Sequence, residues 1–399
     1  MYRDLGKNRG VFRILAAQLT ARFPFGMTSI AMLMHIEHMH GNYTAAGVVL
    51  GAASIGQAIS GPLTSRWMGA WGMRKVLALT TTVCAVVLSV LALVPMTIPL
   101  TMAFAFLMGL STPPVTPAVR TIYPKLVPSK QVAALFSLDA SAQEIIWVLG
   151  PVLAVLVSGQ VSTTAGLLTA VGFMVVGGIW FMFSPEVGQV RIPRSRRRLG
   201  AVLTRPTVVL ATILGFLFVA SFSALEAGVV SAFPRDGMEP GIVLGIFSIG
   251  SIVGGLLFGH RALTPWSLTT RVTIVTLGTA FCLISLNMWW LSGMLFLAGF
   301  GVAPTLAGIF TMVSSTVKFS ETAESYGWVG TGQLIGAALG SAIAGVGIDA
   351  VGPNGAILAS ILFLVVCIIA AAIGSRWIPD MRGRDAAPIP DTEPITLPS

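Results

Sequence analysis

The chain has 399 residues, of which 55% are hydrophobic and only 10% charged, with a mean hydropathy of +0.86 and a net charge of +9. Soluble domains carry roughly 25% charged residues, so a water-soluble globule of this composition would lack the polar surface to cover its core. The basic residues sit in short segments between long apolar stretches, which fits a membrane surface better than a nucleic acid.

A helix needs about 20 mostly apolar residues to cross the hydrocarbon core. Twelve such stretches occur in chain order, at approximately 11–34, 44–67, 74–95, 97–120, 132–157, 163–184, 206–231, 240–260, 269–286, 290–315, 325–349 and 353–376. Helix is the expected state, because backbone groups in lipid must be satisfied within the segment and none of these runs alternates as a barrel strand does. The first stretch contains Arg22 and lacks a cleavage site, so it reads as a retained span rather than a signal peptide. Cys84, Cys282 and Cys367 lie singly inside apolar stretches, so neither disulfides nor a zinc site is expected.

Lys and Arg placement sets the direction. The N-terminus holds Arg3, Lys7, Arg9 and Arg13. Arg66, Arg74 and Lys75 follow span two, and Arg120, Lys125 and Lys130 follow span four. The central loop holds Arg191, Arg194, Arg196, Arg197, Arg198 and Arg205. Arg261, Arg271, Lys318, Arg376, Arg382 and Arg384 complete a set of 22 of the 24 basic residues on one side. Only Arg235 falls on the other side, and Arg22 lies within the membrane. Both termini are therefore expected in the cytoplasm.

The halves repeat. GVVLGAASIG from Gly47 matches GIVLGIFSIG from Gly241 at seven of ten positions, at an offset of 194. FLMGLSTPP from Phe106 matches FLAGFGVAP from Phe296, so that Gly109 and Pro114 recur as Gly299 and Pro304. Gln143 and Gly150 recur as Gln333 and Gly340, again 190 apart. The expected organisation is an N-terminal six-helix half over 1–184, a basic linker over 185–205, a C-terminal half over 206–379 and a disordered tail over 380–399. Parallel halves of this kind place a substrate site between them near the midplane.

On these features the chain resembles the major facilitator superfamily. A loop pattern after span two, Gly61-PLT-Ser65-Arg66 and then Gly72-Met73-Arg74-Lys75, is similar to that family's Gly-x3-Asp-Arg-x-Gly-Arg-Arg signature, with Ser65 in the acidic position. Gly150-Pro151 is similar to the Gly-Pro pair of the drug:proton antiporter branch, although that branch's Arg in span four has no counterpart near Ala105 and Phe106. The resemblance implies a twelve-helix fold and transport by alternating access. It makes Arg66, Arg74 and Lys75 candidates for a cytoplasmic gate, to which Arg120 is added.

Ionisable groups within the bilayer are costly and usually functional. Arg22 and Glu144 each lie roughly 16–18 Å into their spans, at matching depth, which suggests a proton or substrate site or else a structural ion pair. Asp139 lies nearer the cytoplasm, where Arg120 or the basic residues after span two could pair with it; it reads first as a gate or structural residue and second as a further proton-coupling candidate. Glu226, in the SALEAG segment, is a second proton or cation candidate or a group that snorkels to the outer interface. Trp147, Gln143, Gln333 and Tyr326 are cavity-lining candidates. His35, His38 and His40 cluster with Glu37 without a clear further ligand, so no metal and no cofactor is expected. The pairs Gly47/Gly51, Gly241/Gly245 and Gly336/Gly340 allow close helix approach, and Pro113, Pro114, Pro117, Pro151 and Pro304 are expected to kink their helices. No Walker, dinucleotide or nucleophile-elbow motif appears, so neither ATP-driven transport nor enzymatic catalysis is expected.

The expected function is secondary transport, with proton-coupled efflux of a small apolar or cationic compound in first place. Uptake of a small metabolite, lipid flipping and a non-transporting receptor are the alternatives. The expected partners are that substrate, protons and membrane lipid, with the chain acting as a monomer.

Overall fold

The computed structural model describes residues 5, 10–41, 43–193, 198–233, 238–383 and 387–391. Within them the chain is helical, with one isolated backbone bridge and no strand. Eleven helices are long and apolar enough to cross a bilayer. A twelfth span, α1, is in two pieces, Val11–Arg22 and Pro24–His40. Pro24 has no N–H to give the Thr20 carbonyl, and the Phe23 N–H takes that carbonyl instead at 3.3 Å, so the ladder breaks there.

The remaining spans are α2 (Tyr43–Trp71), α3 (Met73–Leu93), α4 (Ile98–Leu126), α5 (Ser129–Gln160), α6 (Thr163–Phe183), α7 (Pro206–Ser231), α8 (Glu239–Phe258), α9 (Ser267–Ile284), α10 (Met288–Thr316), α11 (Phe319–Val351) and α12 (Pro353–Trp377). Their order matches the apolar stretches of the sequence. The α4 span is interrupted between Leu110 and Val115 by Pro113 and Pro114, and α10 between Gly299 and Val302, just before Pro304. Pro151, expected to kink α5, lies inside a helix that continues past it, whereas Pro24, not singled out by its sequence context, breaks α1.

Three apolar cores describe the shape. The largest joins both halves and contains Phe136 of α5 and Phe310 of α10. A second contains only N-terminal residues, among them Met27, Leu88 and Met174. A third contains only Ala224, Ala344, Ala356 and Ala359 of the C-terminal half. The halves therefore share a core toward one end and have separate cores elsewhere.

The seams between halves follow the internal repeat. A Cβ built on Gly327 of α11 would lie 2.6 Å from the Gly61 carbonyl oxygen of α2. In the other seam the Ser137 hydroxyl of α5 donates to the Gly255 carbonyl of α8 at 2.8 Å. Gly61 and Gly255 are 194 apart, and Ser137 and Gly327 are 190 apart, so these contacts are equivalent under the repeat offsets. The same helical face of α2 carries Gly47 and Gly51, and that of α8 carries Gly241 and Gly245. A side chain at any of these four would meet open space. The expectation that these two pairs pack closely is not met in this conformation, because the helices diverge away from the linker. Gly336 and Gly340 do pack, against the Phe216 and Ala220 carbonyls of α7. The bundle is closed at the linker face and open at the opposite face.

The linker includes a short helix, Pro185–Gln189, and a 3-10 turn, Ala201–Thr204. The tail, expected to be disordered, is docked where it is described. Phe319 N–H donates to Ile389 O and Ile389 N–H to Val317 O, both at 3.0 Å, and the Asp391 carboxylate accepts from the Ser320 hydroxyl at 2.5 Å. Unpaired donors at the start of α11 supply the reason, since a helix N-terminus leaves its first N–H groups free.

Candidate functional site

At the shared core, one carboxylate gathers three hydrogen-bond donors and a second guanidinium. Asp139 of α5 is fully buried. Its Oδ1 accepts from Gln18 Nε2 at 3.0 Å, Arg22 Nη1 at 3.1 Å and Tyr123 Oη at 3.0 Å. Its Oδ2 lies 3.5 Å from Arg120 Nε. Arg22 also donates to Gln18 Oε1 at 2.8 Å and to the Gln143 side-chain oxygen. Burial of ionised groups is tolerable only when they are paired and hydrogen-bonded, and here α1, α4 and α5 supply those partners. All of these residues belong to the N-terminal half.

Arg22 and Glu144 do not pair, despite their similar depth. Successive residues of a helix point about 100° apart, so Gln143 faces α1 while Glu144 faces α8. The Glu144 carboxylate accepts from Ser251 Oγ at 2.8 Å and from Ser248 Oγ at 3.1 Å. Ser248 and Ser251 lie three apart on one face of α8, in the opposite half. Glu144 is partly exposed, and Trp147 and Val148, one turn further along α5, are exposed. The glutamate thus stands where the closed seam gives way to the open crevice.

On the linker side of Glu144, contacts between halves are aromatic and ionic. The Arg120 guanidinium lies 3.4 Å from the Phe310 ring centroid, within cation–π range. Phe136 packs against both Phe310 and Tyr326, at 6.3 Å between centroids in each case. Lys125 of α4 sits 4.6 Å over Phe319 of α11. Arg66 of α2 pairs with Glu324 of α11 at 3.1 Å, and Glu324 also accepts the Gly200 N–H of the linker at 2.7 Å. Thr331 of α11 donates to the Ala58 carbonyl of α2 at 2.8 Å.

The candidate residues therefore separate. Arg66 and Arg120 reach the other half. Arg74 does not: it donates to the Met182 and Ser184 carbonyls at 2.9 and 3.4 Å, at the end of α6 in its own half. Lys75 is exposed. Tyr326, expected in a cavity wall, is buried in the aromatic cluster and donates to the Phe310 carbonyl at 3.1 Å. Gln143 is committed to Arg22, and Gln333 lies against Gly215 of α7. Glu226 is exposed on α7, with no hydrogen bond or ion pair to any described residue, and Arg235 lies outside the described residues. His35 points into the N-terminal half and meets Thr163. Among the described residues no three His, Cys, Asp or Glu side chains gather to hold a metal.

Gln18, Tyr123, Phe310, Ser248, Ser251 and Glu324 are the partners that sequence reasoning missed. Ser248 carried a signal, because it falls inside the repeated SIG segment as the counterpart of Ser54. The others are ordinary residues whose role depends on rotation about the helix axis.

Three comparisons bear on identity. The family model described as Major Facilitator Superfamily matches residues 14–288 and 237–397. No curated protein sequence matches the chain. Among solved structures, a bacterial homologue of the iron transporter ferroportin in an outward-facing state is similar with a TM-score of 0.72 at 13% identity, over 92% of this chain and 100% of that one. The human organic anion transporter MFSD10 (TETRAN) is similar with a TM-score of 0.72 at 14% identity, over 91% and 99%. The proton:xylose symporter XylE is similar with a TM-score of 0.69 at 12% identity, over 94% and 97%. At such identities these likenesses speak for the fold alone, and their different cargoes leave the substrate open. With the family model covering both halves, the chain belongs to the major facilitator superfamily of membrane transporters.

Proposed function

We propose that the chain is a proton-coupled secondary transporter that exports small apolar or cationic compounds across the cytoplasmic membrane, with both termini inside. With that orientation, the conformation described here is outward-facing. The observation that carries the reading is the Glu144 bridge: a partly exposed carboxylate at the floor of the open crevice, held by two hydroxyls of the other half.

The mechanism follows from bond strength. Hydrogen bonds to an ionised acceptor are roughly twice as strong as neutral ones. A proton arriving from outside neutralises Glu144 and weakens the α5–α8 seam. Once that seam opens, Arg120 leaves the Phe310 ring and the linker face parts, exposing the site to the cytoplasm. A cationic substrate entering there favours the ionised carboxylate and expels the proton, which gives exchange in opposite directions. An apolar compound finds a crevice bordered by Trp147 and Val148.

The test uses proteoliposomes with an imposed pH gradient and a panel of candidate compounds. Glu144→Gln should abolish gradient-driven accumulation while leaving passive exchange. Glu226→Gln should have the smaller effect, because nothing described bridges Glu226 to the other half. Full gradient-driven transport by both variants rejects proton coupling through these groups. Orientation is tested separately with His38→Cys, which should react with an impermeant maleimide from outside intact cells; reaction only after permeabilisation reverses the assignment.

A further inference from the structure

The outer piece of α1 carries a patterned set of soft donors. Met32, His35 and Met39 recur at spacings of three and four, so they share one helical face. That face borders a small void of about 10 Å³, with Leu91 of α3, Met96 of the α3–α4 connection, and Thr101 of α4 on its other sides. The void lies inside the N-terminal half and is separate from the crevice at Glu144.

His35 is 5% exposed. Its Nδ1 lies 3.0 Å from the Thr163 hydroxyl oxygen, while its Nε2 is buried without a well-formed hydrogen bond, the Leu91 backbone being the other polar group within reach of the ring. A buried imidazole nitrogen without a partner is costly in an apolar surrounding. When Nδ1–H is donated to Thr163, Nε2 carries the lone pair, the arrangement in which an outer hydrogen bond prepares a metal-binding imidazole. The other donor groups on the void are three thioethers and the Thr101 hydroxyl, which is taken up by the Thr97 carbonyl at 3.0 Å.

We propose that Met32, His35, Met39 and Met96 bind one soft monovalent cation, copper(I). The donor set decides the ion. Calcium and magnesium require oxygen ligands, and zinc sites are built from thiolate, imidazole and carboxylate. Thioether sulfur selects copper(I). All four ligands are neutral and the site is poor in water, so a single positive charge is far less costly to hold than a double one. Met32 is 1% exposed, whereas Met39 and Met96 are half-buried at the rim, which gives the ion an entry from the open face. The bound ion would tie the outer end of α1 to the α3–α4 connection.

The test uses the full-length chain in detergent micelles, with silver(I) as a redox-inert probe and equilibrium dialysis as the readout. The parent should bind one silver ion per chain. The triple variant Met32→Leu, Met39→Leu, Met96→Leu nearly conserves side-chain volume and should lose that ion. Thr163→Val touches no proposed ligand, and by freeing the imidazole it should weaken binding about 10–100-fold. X-ray absorption of the copper(I)-loaded parent should show mixed sulfur and nitrogen ligation. Two results overturn the proposal: no stoichiometric binding by the folded parent, or binding that survives in the triple variant and disappears when Cys84, Cys282 and Cys367 are replaced by Ser.

Discussion

Replacing Asp139 by Asn removes one buried negative charge with almost no change of shape. Oδ1 remains an acceptor for Gln18 and Tyr123, but the atom facing Arg120 at 3.5 Å becomes an amide nitrogen that presents hydrogens to a guanidinium. Arg22 and Arg120, whose side chains are 3% and 5% exposed, are left without a counter-charge between them. Removing one partner of a buried ion pair costs about 3–5 kcal/mol. At about 2–4 °C per kcal/mol for a body the size of one half, the melting temperature should fall by roughly 6–20 °C. The damage should be local, because Gln18, Arg22, Arg120, Tyr123 and Asp139 all belong to the N-terminal half. The buried cysteines provide the assay, with Cys84 reporting on that half and Cys367 on the other. In single-cysteine chains heated with a fluorogenic maleimide, Asp139→Asn should expose Cys84 at a lower temperature while Cys367 follows later. Adding Arg22→Gln should restore part of the loss, since the two changes share one network. A fall of less than about 2 °C, under 1 kcal/mol on the same scaling, would refute the view that this carboxylate holds the half together.

Three further outcomes are expected. Gly327→Val should prevent closure of the linker face, because a Cβ there lies 2.6 Å from the Gly61 carbonyl oxygen; maleimide labelling of Ser65→Cys, at a site only 1% exposed, should rise several-fold. Gly47→Leu with Gly241→Leu should leave the melting temperature of the present conformation unchanged while slowing transport, because the added side chains meet open space now but would be trapped between helices when the open face closes. Asp391→Asn should make the tail more sensitive to protease without changing the stability of either half by more than about 1 kcal/mol, the usual scale of a helix cap.

Length and apolar content made the twelve spans legible, because lipid demands a minimum helix length and tolerates few charges. The repeat was legible too, and its two offsets reappear as the paired contacts Gly61–Gly327 and Ser137–Gly255. Depth was readable from residue counts, but azimuth was not. Arg22 and Glu144 were placed at one level, yet the helix turn between Gln143 and Glu144 directs them to different neighbours. Tyr326 failed for a related reason, since an aromatic residue in an apolar span fits a cavity wall or a packed core equally well. Where the chain parts from its own kink pattern, at Pro24, local chemistry was sufficient, but it was masked by an apolar run that continues on both sides.

The two seams are equivalent by position and different by character. In the α2–α11 seam, glycine meets glycine and a hydroxyl meets a carbonyl, so nothing there titrates at mid-depth. In the α5–α8 seam, Glu144 stands where the repeat offset places Leu334 in the other half. At mid-depth a carboxylate stands on only one side of this twofold frame, while the Arg66–Glu324 pair of the α2–α11 seam lies toward the linker. On the proposed mechanism the glycine seam is a passive pivot and the glutamate seam its clasp. Rocking about such a pivot separates an arginine from a ring and a carboxylate from two hydroxyls, but it pulls apart no oppositely charged pair at mid-depth. A cation–π contact gives up about 2 kcal/mol, less than a buried ion pair would; the one described ion pair between the two bundles, Arg66–Glu324, lies toward the linker, where Arg66 is 25% exposed.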